Sequence, residues 1–457
     1  MKDHLQVRKI AYFTAACFIY TSTMSMLNRD IAGSVEGKHL YLYMLQSFAL
    51  ALGMLLYPIL RQTLGMSRRL LNAVLIASSM VYAAGVLSAG HIDSYAYVVA
   101  LMFMLPVAMG YCQGAAYVHI AQDMYDEDMI GRVFGISMGI SILLQYLIQI
   151  RFNIGILLPV FMCCLYFFLI ILEFRGSETG DGSADTEDGS VYPVSRTILL
   201  SSRTNVSDPF VRLIVVAGFL DILAIYLDGQ MEHLLDTSDF FSWSRLLFGA
   251  GFVAMGFLWD MAKARLASMT MITAAIMAVL MPALLMEERF RTFDVCFFYF
   301  YLGLCVVYNS LRLIQYANRH GNMYAAVAYR VIDNLITGVM VLVGFSALPQ
   351  LAALVINTIL LALIVILMWK DGALDHAKSP ASDEASRDRM TMFTRKYSLT
   401  DRESEVLELL ITKDEKGDDM ARELGVSRRG FVSLTSSIYR KTDTGSRVAL
   451  LQKYMSE

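Results

Sequence analysis

The sequence predicts an all-α membrane protein in which two sets of six transmembrane helices precede a small soluble helical domain. Hydrophobic residues make up 56% of the 457 residues and charged residues only 17%, so the chain is more apolar and less charged than a soluble globular protein. The apolar residues fall in uninterrupted runs of about twenty, the length that a helix needs to cross about 30 Å of hydrocarbon. Residues 395–457 lack such runs and are rich in charge.

Twelve apolar runs are predicted as membrane spans. The first is too long for a cleavable signal peptide and has no small-residue cleavage site, so we expect it to remain in the membrane. All six cysteines lie inside these runs, where we expect them to pack as small apolar residues rather than form disulfides or a zinc site. The predicted spans are 9–27, 39–60, 69–89, 95–119, 132–150, 153–173, 208–228, 241–260, 266–286, 293–314, 324–345 and 350–369.

Basic residues predict the orientation of the chain, because Lys and Arg in short loops are retained on the cytoplasmic side. They are more frequent in the loops that face the cytoplasm if the N-terminus lies inside. The loop between spans seven and eight has Glu232, Asp236 and Asp239 but no Lys or Arg, which is typical of an outside loop. We therefore predict a multi-pass protein of the cell membrane whose N-terminus and C-terminal domain are both cytoplasmic.

Two polar segments divide the chain. The stretch GSETGDGSADTEDGS at 176–190 is rich in Gly, Ser and acidic residues and has no apolar periodicity, so it predicts a disordered cytoplasmic linker between the two sets of six spans. A second polar stretch precedes the soluble domain. The predicted organisation is a first membrane half at 1–175, a linker at 176–207, a second membrane half at 208–370, a linker at 371–394 and a soluble domain at 395–457.

The membrane part resembles the major facilitator superfamily in its two six-span halves and in several local motifs. GRVFGISMGIS at 131–141 is similar to the start of that family's fifth helix, and GFLWDMAKAR at 256–265 contains its G-x-x-x-D pattern followed by basic residues. The matching first-half loop has Gln62 and Thr63 where the family has an acid, and QGAAY at 113–117 lacks the arginine that usually precedes it. The resemblance implies a ligand cavity between the halves. The missing groups belong to gating and proton coupling in the family, which counts against active transport.

Ionisable side chains inside predicted spans are candidate ligand-binding groups, because each costs roughly 3 kcal/mol or more at the centre of the bilayer. Asp221 lies near the middle of span seven, and Arg330 and Asp333 lie near the middle of span eleven. Since Arg330 and Asp333 are three residues apart on one helix, they can also simply neutralise each other. The polar residues predicted to accompany them in binding a small-molecule ligand are Gln113, Tyr308 and Asn309.

The soluble domain shows the sequence signs of a helix-turn-helix. Thr400 and Glu403 form a capping box that predicts a helix over 401–412, with Val406, Leu407 and Leu410 on its apolar face. ARELGVS at 421–427 predicts a helix end, a turn through a glycine and a serine N-cap. A following helix over 428–441 has Phe431, Leu434 and Ile438 for the core and four basic residues without an acid.

This domain resembles the C-terminal DNA-binding domain of LuxR-type transcription regulators. The similarity is carried by LTDRESEVLELL at 399–410, DMARELGVS at 419–427 and SSIYRKTDTGSRVALL at 436–451. It implies that the third of four helices enters the major groove of double-stranded DNA and that a fourth, at about 445–456, pairs two copies. Val432 and Leu434 stand where the family has Lys and His. The predicted DNA contacts are therefore Arg428, Arg429, Ser433, Ser436, Ser437, Arg440 and Lys441.

Two functions are compatible with these patterns. The first is a membrane-bound one-component transcriptional regulator, in which the superfamily-like part senses a small molecule and controls DNA binding by the cytoplasmic domain. The alternative is a transporter of this superfamily whose C-terminal domain is a regulatory or docking module, since a basic helix face is often only a solvated one. No catalytic triad, P-loop or metal-spaced cluster occurs in the sequence, so we expect neither an enzyme nor a bound cofactor.

Overall fold

The computed structural model describes residues 2–28, 39–89, 94–123, 129–151, 157–178, 209–234, 243–284, 291–343, 350–370, 390, 392–412, 424, 427–444, 447, 450, 453 and 454. The chain forms two compact units, Met1–Asp375 and His376–Glu457. We call them the membrane unit and the tail unit and consider each by itself. Every regular element among the described residues is helical.

The membrane unit contains eleven described α-helices. They are α1 Lys2–Met26, α2 His39–Pro58, α3 Arg68–Ser88, α4 Tyr95–Asp123, α5 Ile130–Gln145, α6 Leu157–Glu178, α7 Pro209–Leu234, α8 Leu246–Leu284, α9 Arg291–His320, α10 Met323–Val343 and α11 Gln350–Lys370. Short π-helical turns extend α2 over Ile59–Thr63 and α5 over Tyr146–Arg151, and a 3-10 turn, Trp243–Arg245, precedes α8. We refer to α1–α6 as the first half and α7–α11 as the second half.

Ten of the predicted spans each fall on one helix, whereas spans eight and nine both fall within α8. This helix has 39 residues and would be about 58 Å long if straight, nearly twice the hydrocarbon thickness. Two side chains of α8, Trp259 and Ser268, nevertheless contact the same residue, Tyr308. One helix covers both segments, so the prediction of two separate spans at 241–260 and 266–286 is not confirmed.

Six helices in the described part of the chain are both long and apolar enough to cross a membrane. They lie at Leu40–Thr63, Arg68–Ser88, Tyr95–Gln122, Ile130–Ile148, Pro209–Asp228 and Thr292–His320, and shorter apolar helices lie at Leu158–Ile171, Leu266–Leu280 and Leu354–Trp369. These helices confirm a membrane protein with several spans, while twelve complete spans remain a prediction. The linker predicted at 176–207 lies outside the described residues, except for the end of α6.

Glycines bring the helix backbones of the membrane unit into direct contact. Where α2 crosses α4, a Cβ atom added at Gly110 would lie 2.6 Å from the carbonyl oxygen of Leu50, and one added at Gly53 would lie 2.4 Å from that of Val107. The same closeness occurs between α5 and α8 and between α8 and α9. Because lipid provides no hydrophobic drive for helix association, such close packing is a main source of attraction between membrane helices.

The tail unit confirms two of the four helices predicted for it. They are α12 Asp401–Thr412 and α13 Arg428–Lys441. The capping box forms as predicted, because the Glu403 amide donates to Thr400 Oγ1 at 3.3 Å and the Thr400 amide donates to Glu403 Oε2 at 2.7 Å. Ser427 caps α13 by accepting a hydrogen bond from the Gly430 amide at 3.1 Å.

The core of the tail unit extends beyond the two helices. The predicted apolar residues of α12 and α13 are buried, apart from the half-buried Leu434. Phe393 joins this core and contacts the Tyr454 ring at 5.3 Å between centroids, so the folded part begins before residue 395. Most of ARELGVS at 421–427 lies outside the described residues. Of the predicted fourth helix only 447, 450, 453 and 454 are described, and all four are helical.

The glycine contacts lead to a stability prediction. Gly110→Ala should destabilise the membrane unit by about 1–3 kcal/mol, because its methyl group would collide with the backbone of α2. Gly218→Ala is the matched control, since the nearest atom to its added methyl group would be 3.8 Å away. Thermal unfolding of the detergent-solubilised variants measures the difference. Equal midpoints for the two variants would contradict this role of the α2–α4 crossing.

Candidate functional site

A cavity of about 290 Å³ lies between the two halves of the membrane unit. Both halves contribute to its wall, from α1, α4 and α5 on one side and from α7 to α10 on the other. The described lining residues are Cys17, Tyr20, Thr21, Met24, Gln113, Tyr117, Met138, Ser141, Asp221, Ala224, Ile225, Asp228, Arg245, Phe248, Phe252, Leu302, Cys305, Val306, Tyr329, Arg330, Asp333 and Thr337. Ionisable and aromatic side chains thus meet at the seam between the halves.

Arg330 is held in the wall of this cavity from two directions. Its guanidinium forms an ion pair and hydrogen bond with Asp333, one turn along α10. It also lies over the ring of Tyr20 from α1, with 4.9 Å between the guanidinium carbon and the ring centroid. Such a contact contributes about 0.5–2 kcal/mol. The mutual neutralisation of Arg330 and Asp333 that the sequence allowed is therefore present, and Tyr20 adds a link to the first half.

Asp221 is less well satisfied than Arg330. It is 3% exposed, and its Oδ1 accepts a hydrogen bond from the hydroxyl of Tyr329 at 3.3 Å. Its Oδ2 is buried and has no hydrogen-bond partner among the described residues. The charges of Asp333 and Arg330 both act on this carboxyl group. Asp221 is therefore a buried acid with an unused acceptor in the wall of a cavity.

The structure brings four of the six predicted ligand residues together. Asp221, Arg330, Asp333 and Gln113 all line the cavity, and Gln113 also donates to the carbonyl oxygen of Ala16 at 2.9 Å.

Tyr308 and Asn309 lie outside the described lining. The Tyr308 hydroxyl lies 2.9 Å from Ser268 Oγ, and Asn309 donates to the sulfur of Cys305 at 3.4 Å. The Tyr308 contact thus joins α9 to α8, whereas the Asn309 hydrogen bond lies within α9.

Two further charged residues of the cavity, Asp228 and Arg245, are not among the ligand residues predicted from the sequence. Asp228 follows Asp221 by seven residues on α7, so both lie on the same helix face. The seven-residue spacing could therefore have identified Asp228 from the sequence as a neighbour of Asp221. Arg245 belongs to the 3-10 turn before α8, and the charge of Asp228 acts on it. Because Arg245 lies near the predicted start of span eight, the sequence does not indicate that its side chain lines the cavity.

Polar contacts at helix N-termini join the two halves at two further places, which we call the latches. In the first, Asp260 of α8 accepts hydrogen bonds from the amides of Gly131 and Arg132, at 2.8 and 2.7 Å, at the start of α5. In the second, Gln62 Oε1 accepts from the amide of Met323 at 2.9 Å, at the start of α10. The motifs GRVFG and GFLWD therefore contact each other. Gln62 stands where the family has an acid, so the second latch is a neutral hydrogen bond rather than a charged one.

The predicted DNA-binding residues of α13 divide into two groups. Arg428, Arg429, Ser433, Ser436 and Arg440 are exposed on one side of the helix. Ser437 and Lys441 instead turn towards α12, where both donate to Glu403, at 2.7 and 2.6 Å. The exposed group is the part of α13 that remains accessible to a partner.

Glu403 is the polar centre of the tail unit. Burial by itself would raise the pKa of this carboxyl group, but hydrogen bonds from Lys441, Ser437 and Thr400 outweigh that effect and lower the pKa from its ordinary 4.5 to about 2. A buried carboxylate that accepts several hydrogen bonds, one from a cation, is strongly favoured in its charged form. Glu403 thereby fixes α13 against the start of α12.

Comparison of the structure with solved proteins reveals the fold of the membrane unit. The human organic anion transporter MFSD10 (TETRAN) superposes with a TM-score of 0.53 at 13% sequence identity, covering 79% of this chain and 98% of that one. A Major Facilitator Superfamily transporter, FucP, in the outward conformation gives a TM-score of 0.53 at 14% identity, covering 80% and 98%. The membrane unit has a major facilitator superfamily fold. No protein-family model and no curated protein matches the amino-acid sequence.

The superfamily fold agrees with the helical, membrane-spanning architecture predicted from the sequence. The membrane unit, residues 1–375 of the 457-residue chain, accounts for a share similar to that covered by both transporters. The tail unit is a separate compact body. Its resemblance to LuxR-type domains remains a prediction from the sequence.

The hydrogen bonds of Glu403 predict an acid transition in the isolated tail unit, residues 376–457. Because the folded pKa lies below the ordinary value, the unfolded chain binds more protons between the two. The stability from this group is therefore present above about pH 4.5 and is lost as the pH falls towards 2. Glu403→Gln should lower stability at neutral pH and weaken this acid dependence, as measured by circular dichroism during urea unfolding.

Glu405→Gln is the matched control, because Glu405 lies on the exposed side of α12 and pairs with Arg402 instead. If Glu403→Gln retains both the wild-type stability and its acid dependence, the network around Glu403 does not stabilise the tail unit.

Proposed function

We propose that this chain is a small-molecule carrier of the major facilitator type, with the tail as a regulatory or docking domain. The observation that carries this proposal is the cavity between the halves, which contains buried ionisable side chains contributed by the second half and aromatic side chains from both. Sites of this kind, with a few polar groups in a largely apolar wall, are typical of small-molecule binding. Both structural neighbours are transporters, which supports transport as the function of the shared fold.

The latches suggest how access to the cavity is controlled. Under the predicted orientation, the segments that contain Gln62, Gly131, Asp260 and Met323 all lie on the cytoplasmic side. Hydrogen bonds between the halves at these places hold that side together. Breaking them would let the halves separate there and open the cavity to the cytoplasm. A bound molecule can drive such a change only if it binds one arrangement more tightly than the other.

Transport is tested with the full-length protein in liposomes and a mixture of small metabolites. At least one compound should accumulate saturably in proteoliposomes and not in protein-free liposomes, as measured by mass spectrometry. Asp221→Asn should reduce this accumulation by about tenfold, because a charged contact in the cavity is lost. Asp294→Asn is the matched control, since Asp294 is a buried acid of α9 outside the described cavity lining.

The second candidate function is a membrane-bound transcriptional regulator, and the exposed side of α13 favours it. Arg429, Ser433, Ser436 and Arg440 follow one another at spacings of four, three and four residues, so they form one stripe along the helix. A stripe of cations and hydroxyls fits the phosphates and base edges of double-stranded DNA. In this function the ligand would act on the tail, and two copies would pair through the segment after residue 445. Binding of a compound without accumulation in liposomes would favour this candidate over transport.

DNA binding by the tail unit is tested by selecting sequences from a random duplex library. The selected duplex should bind with strong salt dependence, since cations that contact phosphates release counterions. Arg429→Ala and Arg440→Ala should each weaken binding by about tenfold and reduce the salt slope by about one. Arg402→Ala on the exposed side of α12 is the control. A tail that selects no sequence at low salt, even when artificially dimerised, would exclude the regulator function.

A further inference from the structure

The acidic and basic groups in the described wall of the cavity are unequal in number. Its described wall contains three carboxyl groups, Asp221, Asp228 and Asp333, but only two guanidinium groups, Arg245 and Arg330. When all five are ionised the wall has one excess negative charge. An excess charge in a site between membrane helices is costly unless a proton, a counter-ion or a ligand compensates it.

Asp221 is the carboxyl group best placed to hold the excess charge. Asp333 is bound directly to Arg330, and Asp228 is close enough to Arg245 for their charges to interact. Asp221 receives one long hydrogen bond from the neutral hydroxyl of Tyr329, and its Oδ2 has no partner among the described residues although it is buried. A positively charged ligand group that donates a hydrogen bond to Oδ2 would supply both the missing positive charge and the missing hydrogen bond.

The rest of the wall restricts the body of the ligand. Phe248 and Phe252 of α8 and Tyr117 of α4 present aromatic surface to the cavity, and Ile225 and Val306 present aliphatic surface. The volume of about 290 Å³ is at the small end of the range of roughly 300–1,000 Å³ for ligand pockets. An apolar body of modest size is therefore matched to the wall, and aromatic faces also attract an ammonium group.

We propose that this cavity binds a small organic ammonium ion, an amine attached to an apolar body, with Asp221 as its counter-charge. This inference rests on the proposed function, because it names the ligand class of the same cavity. Asp221 Oδ2 accepts the hydrogen bond of the ammonium group, the aromatic wall packs against the body, and Arg330 stays with Asp333 and Tyr20.

Other ligand classes fit this wall less well. An organic anion would have to displace Asp333 from Arg330 or compete with Asp228 for Arg245, and it would bring a second negative charge close to Asp221. A metal ion prefers several carboxylate, imidazole or thiolate ligands at one point, and the described residues contain no group of three or more such side chains. An uncharged ligand would leave the excess negative charge of the wall uncompensated.

The test uses the full-length protein in detergent and three indoles that share a ring and differ in charge. Tryptamine is the cation, tryptophol is neutral and indole-3-propionate is the anion. Thermal unfolding should show concentration-dependent stabilisation by tryptamine, at concentrations about tenfold or more below any effect of the other two. A series of smaller and aliphatic amines, from methylammonium upwards, extends the comparison to other apolar bodies.

Asp221→Asn should weaken the tryptamine effect by about tenfold or more, since it removes the counter-charge and keeps the shape of the side chain. Asp294→Asn is the control for loss of a buried acid elsewhere in the membrane unit and should respond as the wild type does. An Asp221→Asn protein that unfolds at the wild-type temperature without ligand but is not stabilised by tryptamine would support the proposal directly.

Three outcomes would overturn the proposal. These are no stabilisation by any amine, equal or greater stabilisation by the neutral or anionic indole, and an unchanged amine response in Asp221→Asn. Each concerns the ligand class alone, because a carrier of neutral or anionic molecules would still accumulate its compound in the liposome experiment. Failure of that experiment, with amine binding intact, would instead exclude transport and leave the ligand class in place.

Discussion

Backbone contact at glycines is the constraint on which the membrane unit depends. The hydrocarbon around the helices is as apolar as their side chains, so close packing between helices must supply the attraction. A Cβ atom at Gly135 of α5 would lie 2.4 Å from the carbonyl oxygen of Phe252, and one at Gly303 of α9 would lie 2.3 Å from that of Phe248. Both phenylalanines line the cavity. The contacts that hold α8 between its neighbours therefore also position the aromatic wall of the ligand site.

The sequence predicts the membrane helices well and their inward faces poorly, for one physical reason. A helix surrounded by lipid and other apolar helices is hydrophobic on every side, so the pattern reveals its length but not which face is buried. Polar residues near mid-membrane, such as Asp221 and Gln113, could be located because they are costly there. Tyr308 and Asn309 are also polar residues within a predicted span, yet their side chains bond to α8 and to Cys305 of α9 itself. Nothing in their spacing separates the two cases.

In the tail unit, by contrast, the sequence predicts which faces of the helices are buried. In water the apolar pattern identifies the inner faces of both helices, and the bounds of α12 and α13 agree with prediction. The sequence does not reveal that some polar residues of the basic helix α13 form hydrogen bonds within the tail unit itself. Glu403 is identified as a capping residue from its spacing to Thr400, but its bonds to Ser437 and Lys441 join residues more than thirty positions apart. Only the packed structure divides α13 into an inner and an outer polar set.

The two latches have a mechanical consequence for the membrane unit. Asp260 accepts two charge-assisted bonds at the positive end of α5, whereas Gln62 and the neighbouring Thr63–Tyr324 pair supply only neutral bonds at α10. Charge-assisted bonds are about twice as strong as neutral ones, and the helix dipole adds to the difference. The hydrogen bonds between the halves are therefore stronger at the edge where α5 meets α8 than at the edge where α2 meets α10. If the halves separate on this side, we expect the edge between α2 and α10 to open first, with the halves tilting about the edge between α5 and α8.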